Sequence, residues 1–213
     1  MEFYLTVSAL CIVAYLLGSI NFSIIITKKL INKDIRDFGS GNAGGTNAIR
    51  VLGAKTGVLV MVLDMVKGLV AVLVSRVILV AVPDLYLAII AFFAVLGHLF
   101  PIFFGFKGGK GIAVTAGILL GITPLTMVTL LAVWGILVGI TKYVSLGSIA
   151  AGFMTPVFYF VYTYFLFDKS FDYVVWPTLV FAVIGVTVII SHRANIVRLI
   201  KGTESKLGSK KDK

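Results

Sequence analysis

Of the 213 residues, 59% are hydrophobic and only 13% are charged, and the mean hydropathy is +1.07. A water-soluble fold of this length cannot hide so much apolar surface, so lipid must serve as solvent for much of the chain. The net charge of +10 sits in a few short loops, which ties it to membrane sidedness rather than nucleic acid, and the single cysteine, Cys11, excludes an intrachain disulfide framework and any zinc or redox spacing.

Apolar segments run over residues 3–27, 57–82, 85–104, 112–141, 144–167 and 173–191. Each is long enough to cross about 30 Å of hydrocarbon as a helix. No Pro/Gly/Ser-rich linker separates them, so residues 1–213 read as a single integral membrane domain. The first segment begins with Glu2 rather than a basic stretch, and no small-residue cleavage site follows. It reads as a retained helix and not as a secretory signal.

Lys28, Lys29, Lys33, Arg36, Arg50 and Lys55 mark the insert after the first segment as cytoplasmic, which puts the N-terminus outside. The next turn, Pro83-Asp84, falls outside, and the loop with Lys107 and Lys110 falls inside. Segment 112–141 is too long for one crossing, and Gly121-Ile-Thr-Pro124 interrupts it. Pro124 lacks an amide proton and disfavours helix in the residue before it. Split there into 112–120 and 125–141, the segment restores charge parity, with Lys142 inside and the basic tail from Arg193 to Lys213 inside. The expected architecture is all-α: a polytopic transmembrane bundle of about seven crossings, N-terminus outside and C-terminus cytoplasmic. The piece 112–120 spans only about 14 Å and needs shelter for its ends, unless the segment is one tilted helix kinked at the proline.

This topology brings three polar clusters to one face. The first, Phe38-Gly-Ser-Gly-Asn-Ala-Gly-Gly-Thr-Asn-Ala-Ile-Arg50, combines four glycines with Ser40, Asn42, Thr46, Asn47 and Arg50. Successive amides in glycine-rich backbone form anion-binding nests, and an arginine offers a bidentate fork to phosphate. The alternative is a flexible loop, which usually carries Ser, Pro or Glu instead. The second cluster runs from Gly97 and His98 through Pro101 to Lys107-Gly108-Gly109-Lys110-Gly111, directly before a helix N-terminus that favours anions. It lacks the G-x-x-x-x-G-K-[ST] spacing, so nucleotide hydrolysis is not indicated. His98 reads either as a structural histidine bonded to a carbonyl or as a site residue.

The third cluster, where the last apolar segment ends, contains His192, Arg193, Asn195 and Arg198. His192 and Asn195 share a helix face at i, i+3, while the arginines suit lipid headgroups equally well. Asp64 and Lys67 form a further i, i+3 pair inside an apolar segment, either a structural ion pair or part of the site.

Together these stretches resemble the bacterial acyl-phosphate-dependent glycerol-3-phosphate acyltransferases, the PlsY family. The resemblance rests on Ser40-Gly-Asn-Ala-Gly-Gly-Thr-Asn-Ala-Ile-Arg50, Leu63-Asp-Met-Val-Lys-Gly68, Gly97-His-Leu-Phe-Pro101 with Phe106-Lys-Gly-Gly-Lys-Gly111, and His192-Arg-Ala-Asn-Ile196 with Gly202-Thr-Glu204. The order and spacing hold over nearly the whole chain, with one small departure within Ala43-Gly-Gly45.

The resemblance implies transfer of a fatty acyl group from acyl phosphate to the 1-hydroxyl of sn-glycerol 3-phosphate. It further implies lysophosphatidic acid and phosphate as products, at the first step of bacterial phospholipid synthesis. It places the enzyme in the bacterial inner (plasma) membrane, active face cytoplasmic, among membrane lipid and supplied by a soluble phosphate acyltransferase. The His-x4-Asp motif of other glycerol-3-phosphate acyltransferases is absent, since Phe103 and Val197 stand five residues after His98 and His192. On this reading Lys107, Lys110 and the amides of Gly108, Gly109 and Gly111 hold acyl phosphate. Ser40, Arg50 and Asn195 orient glycerol 3-phosphate, with Asn42, Thr46, Asn47, His98 and Arg193 as further binding residues. Ser40, His192 and Asn195 are the candidate catalytic residues, and no cofactor, metal or nucleic acid is expected. A transporter for a phosphorylated metabolite is the rival reading, though broken helices in transporters serve a midplane site and inverted repeats are not visible here.

Overall fold

The structure is a computed structural model that describes residues 1–208. The last five residues of the expected basic tail, 209–213, lie outside the described residues. Among those described there are ten α-helices and no strand: α1 (Glu2–Ser19), α2 (Phe22–Ile31), α3 (Gly45–Leu52), α4 (Ala54–Ile78), α5 (Asp84–Leu99), α6 (Ile112–Ile122), α7 (Pro124–Thr141), α8 (Val144–Val161), α9 (Phe171–Ser191) and α10 (Arg193–Ile200). All-helical architecture is what lipid demands, because a helix satisfies its backbone groups within one segment.

Among the described residues six stretches are long and apolar enough to cross a bilayer: α1 with α2, α4, α5 with the turn after it, α7, α8 with the turn after it, and α9. At 11 residues α6 falls short, covering about 16 Å at 1.5 Å per residue. The break expected near Pro124 is present. The chain leaves α6 at Thr123 and re-enters helix at Pro124, whose fixed φ suits a first helical turn.

A second break was not anticipated. The apolar run 3–27 reads as one helix, yet it divides at Ile20, where the backbone is extended (φ −67°, ψ 107°). Asn21 restarts the helix by accepting the Ile24 amide proton on its side chain at 3.1 Å. The carbonyls released at the break, Gly18 O and Ile20 O, accept hydrogen bonds from Lys67 Nζ at 2.9 and 2.6 Å. Without a donor they would be unsatisfied in an apolar interior, at several kcal/mol each.

The chain divides into two compact units, residues 1–123 and 124–213. In the first, α1 packs on α5 and α4 packs on both α3 and α6. Gly18 and Gly97 let α1 and α5 approach to backbone contact, and Gly68 and Gly117 do the same for α4 and α6. Close crossings of this kind gain dispersion energy where lipid removes the hydrophobic drive between helices. In the second unit α8 packs on α7 and α9, with Gly152 against Gly185 and Tyr159 against Phe181 fully buried. Outward residues such as Val128 and Ile140 are 58% and 77% exposed, which only a lipid solvent tolerates on this scale.

Candidate active site

The insert between α2 and α4 is pinned before it is polar. Ile35 is fully buried with Ile24 and Ala43, and Val51 and Phe104 pack against them. Burying one such side chain contributes about 1.5–3 kcal/mol, enough to hold a short loop in place. Around this anchor the side chain of Asn47 ties the glycine loop together. Its Oδ1 accepts the Ser40 amide proton at 2.9 Å, and its Nδ2 donates to Ile35 O at 3.2 Å and Phe38 O at 3.0 Å. One N–H donor and two carbonyl acceptors fix which end of the amide is which. Gly39 and Gly41 adopt positive φ (61° and 70°), the left-handed conformation that glycine reaches without strain.

Arg36 fastens this loop to the second glycine loop. Its Nε and Nη2 grip both oxygens of Asp34 at 2.9 and 2.7 Å. Its Nη1 donates to Phe104 O at 2.8 Å and to Lys107 O at 3.1 Å. The hydrogen bonds from Arg36 are the main reason the Asp34 carboxyl lies below its usual range. Asn21 adds a second fastening by donating from Nδ2 to Ala43 O at 3.2 Å.

The second loop folds back on the end of α5. Gly108 N donates to Leu99 O at 3.0 Å and Gly109 N to His98 O at 3.1 Å. These two amides, expected to face phosphate, are instead spent on carbonyls that the helix end leaves over. Gly108 and Gly109 are glycines for a different reason. A methyl group at Gly108 would strike His98 O, and one at Gly109 would strike His98 Nε2 and crowd Ala43 O. Gly111, at φ 87°, turns the chain into α6, and its carbonyl accepts Thr115 N at 2.8 Å. The amides of Ile112, Ala113 and Val114 open α6 without a preceding helical carbonyl, so the anion-attracting end lies there rather than in the glycine pair.

The expected binding residues of this unit therefore separate into two groups. Ser40, Arg50 and Lys107 are exposed, and Asn42, Thr46 and Lys110 are half-buried. Asn47 and His98 are buried and spend polar atoms on the protein. His98 Nδ1 lies 3.0 Å from Lys67 Nζ, not on a carbonyl, and Lys67 Nζ lies 3.0 Å from Asp64 Oδ1. The pair inside α4 is thus a three-residue group that also carries the break between α1 and α2.

The second unit holds its own polar group at the end of α9. Glu204 accepts from Ser145 Oγ at 2.8 Å and Asn195 Nδ2 at 2.6 Å on Oε1, and from Arg198 Nε at 2.6 Å on Oε2. Burial pushes the Glu204 carboxyl up, but the three donors and the Arg198 charge outweigh it and hold it below its usual range. His192 donates from Nδ1 to Val188 O at 2.9 Å, so that ring nitrogen carries a proton. Arg193 is exposed, as a headgroup anchor would be.

Sequence reasoning overlooked Asn21, Asp34, Arg36 and Ser145 as builders of these groups, and took Glu204 only as part of a motif. The Asp-x-Arg spacing at 34–36 was the one local signal of a clamp.

The family model for glycerol-3-phosphate acyltransferase matches residues 8–202, running through both units and stopping two residues short of Glu204. The chain belongs to the glycerol-3-phosphate acyltransferase family. Curated glycerol-3-phosphate acyltransferases from Chlorobaculum tepidum and Clostridioides difficile are 43% and 41% identical to it. Each alignment covers 95% of this chain, with 97% and 96% of the relatives' lengths. Among solved structures, the crystal structure of PlsY (YgiH), an integral membrane glycerol 3-phosphate acyltransferase, in its glycerol 3-phosphate form, aligns with TM-score 0.86 at 39% identity. Its lysophosphatidic acid form aligns with TM-score 0.83 at 38% identity. Both cover 95% of this chain and 96% of the solved chain. Like those proteins, this acyltransferase is an all-helical integral membrane protein of phospholipid synthesis, and the transporter reading gives way to the family match.

Proposed function

We propose that this acyltransferase takes its acyl group from acyl phosphate and passes it to the 1-hydroxyl of sn-glycerol 3-phosphate, releasing lysophosphatidic acid and inorganic phosphate. The observation that carries the reading is the convergence of two glycine loops, joined by Arg36 at Lys107 O and meeting where Gly109 lies against Ala43. Ser40 in the first loop and Arg50 in the helix that follows it are exposed, as is Lys107 in the second loop, which leads into the amide end of α6. Such a surface suits a phosphate group. The PlsY structures carrying glycerol 3-phosphate and lysophosphatidic acid support the acceptor and the product. The missing His-x4-Asp spacing supports a donor other than a thioester.

Acyl phosphate is a mixed anhydride and already activated, so positioning and charge neutralisation supply most of what the protein must add. The glycerol hydroxyl oxygen bonds to the acyl carbon, and the bond from that carbon to the phosphate oxygen breaks. The hydroxyl proton passes to the departing phosphate, with His192 Nε2 as the second acceptor. Lys107, Lys110 and the first amides of α6 hold the acyl phosphate. Ser40, Arg50, Asn42 and Thr46 orient the acceptor in the first unit; for Asn195 and Arg193, in the second unit, a substrate-binding role rests on the family resemblance. Asn47 and His98 serve by building the loops. The surrounding proposal is a seven-crossing bundle in the bacterial inner membrane, N-terminus outside, polar loops cytoplasmic, fed by a soluble phosphate acyltransferase.

The test is purified protein in detergent with labelled glycerol 3-phosphate. Acyl phosphate alone as donor should give lysophosphatidic acid and phosphate in equal amounts. Product from acyl-CoA or acyl-carrier protein, with none from acyl phosphate, would overturn the donor assignment. A covalent acyl-enzyme trapped with acyl phosphate alone would overturn direct transfer.

A further inference from the structure

Lys67 is buried in the middle of α4, 2% exposed, where a charge is costly and is retained only for a reason. Its ammonium group carries three protons and no acceptor. Three acceptors face it in hydrogen-bonding geometry: Gly18 O at 2.9 Å, Ile20 O at 2.6 Å and His98 Nδ1 at 3.0 Å. Asp64 Oδ1 stands 3.0 Å away and balances the charge, but that oxygen has no hydrogen-bonding partner of good geometry. The three protons are therefore accounted for by two carbonyls and one imidazole nitrogen.

A nitrogen facing a donor-only group must present its lone pair, so the neutral ring of His98 carries its proton on Nε2. That nitrogen is the one packed against Gly109, in the loop that continues through Lys110 to the start of α6. We propose that Lys67 is a positioning residue for the phosphate-binding loop. It selects the Nε2–H form of His98 and so fixes which edge of the ring, N–H or lone pair, Gly109 packs against. One ammonium thus couples the break between α1 and α2 to the geometry of the loop. The inference rests on the reading that residues 107–111 bind phosphate.

The ring chemistry gives a readout that a purely structural role would not move. The chain has two histidines, and their contacts differ: His98 Nδ1 faces an ammonium group, whereas His192 Nδ1 donates to a carbonyl. Nitrogen NMR of the full-length protein in detergent, with 15N-labelled histidine and His192→Gln for assignment, reads both directly. The expected wild-type spectrum shows His98 protonated on Nε2. Lys67→Met should convert it to Nδ1–H or a mixture. It should also raise KM for one of the two phosphate substrates by about tenfold, with kcat much less affected.

Because Lys67→Met strands Asp64, the charge-balanced pair Asp64→Asn with Lys67→Met is measured beside it, and Lys67→Arg should restore the Nε2–H form. An Nδ1–H His98 in the wild type overturns the inference without any variant. So does a charge-balanced variant that keeps both the wild-type ring form and both KM values, or one that changes the ring form alone. Lys107→Ala separates the two layers. If it leaves both KM values unchanged, the phosphate reading of the loop fails and the inference with it. If it raises one KM while the Lys67 variants do not, only the inference fails.

Discussion

Asn195 donates its side-chain amide to Glu204 across 2.6 Å, in a bracket that also takes in Ser145 and Arg198. Three donors converge on one carboxylate, so the start of α8, the helix α10 and the turn after it are tied together by a single residue. Among the described residues Glu204 is the acidic partner of this group, and its loss strands every donor at once.

The first prediction concerns pH. The Glu204 carboxyl is held below its usual value in the folded protein, so its contribution to stability is fully present above the unfolded-state pKa, about 4.3. As pH falls below that value toward the folded-state pKa, the contribution is lost. Melting temperature in detergent should fall through this acidic window in the wild type and less steeply in Glu204→Gln. At neutral pH Glu204→Ala should cost about 1–3 kcal/mol for the buried donors left unmatched, seen as a lower melting temperature together with reduced activity. An unchanged melting curve for Glu204→Ala would mean that the bracket carries no load.

Arg36 is a clamp, and its geometry cannot be met by another cation. Arg36→Lys keeps the charge but loses the bidentate hold on Asp34 and one of the two carbonyl bonds. Steady-state kinetics should show KM for the phosphate substrates raised about tenfold, a loss of about 1.4 kcal/mol in binding, with kcat little changed. The carbonyls of Phe104 and Lys107 then lack their donor, so Arg36→Ala should be worse than Arg36→Lys.

Gly109→Ala tests the meeting of the loops. The added methyl group would collide with His98 Nε2 and crowd Ala43 O, and the ring is fixed by Lys67 and cannot swing aside cheaply. Activity should fall by at least about a hundredfold, as misplacement of positioning groups by an ångström does. Gly53→Ala is the control for glycine loss as such. Nothing lies within 4 Å of a methyl group there, so its effect comes only from its positive φ of 88°. It should lower stability while sparing activity per folded molecule.

Asn47→Ala removes one acceptor and two donors from buried backbone groups. The expected cost is about 1–3 kcal/mol, with both KM values raised because Ser40 and the loop shift together. Asn47→Asp separates shape from chemistry. It keeps the acceptor for Ser40 N but faces Ile35 O and Phe38 O with oxygen, and should be no better than alanine. Thermal melting beside substrate kinetics reads both effects.

Much of this was legible from local chemistry. Pro124 fixes φ and lacks an amide proton, so the break between α6 and α7 followed from the sequence around residues 121–124. The glycine, asparagine and arginine clusters also declared themselves, because few loops need that composition. The break at Ile20 did not, because it sits in an apolar run where only Ser19 and Asn21 hint at it. Its cause, Lys67, lies 49 residues from Gly18 along the chain. The roles of Asn47, Gly108 and Gly109 were hidden for the same reason, since composition shows that an amide exists but not what it already bonds.

Sequence alone determined that the chain lives in lipid, where proline breaks it, which polar residues stand out and which family they resemble. Those are properties of composition and of neighbours a few residues apart, set by hydropathy, proline and glycine. Only the tertiary structure decided which polar atoms are spent holding the fold and which stay exposed. That division depends on hydrogen bonds between distant segments, such as Arg36 to Lys107 O and Lys67 to His98. In an apolar interior each buried donor and acceptor must be matched, and the match exists only once the chain has folded.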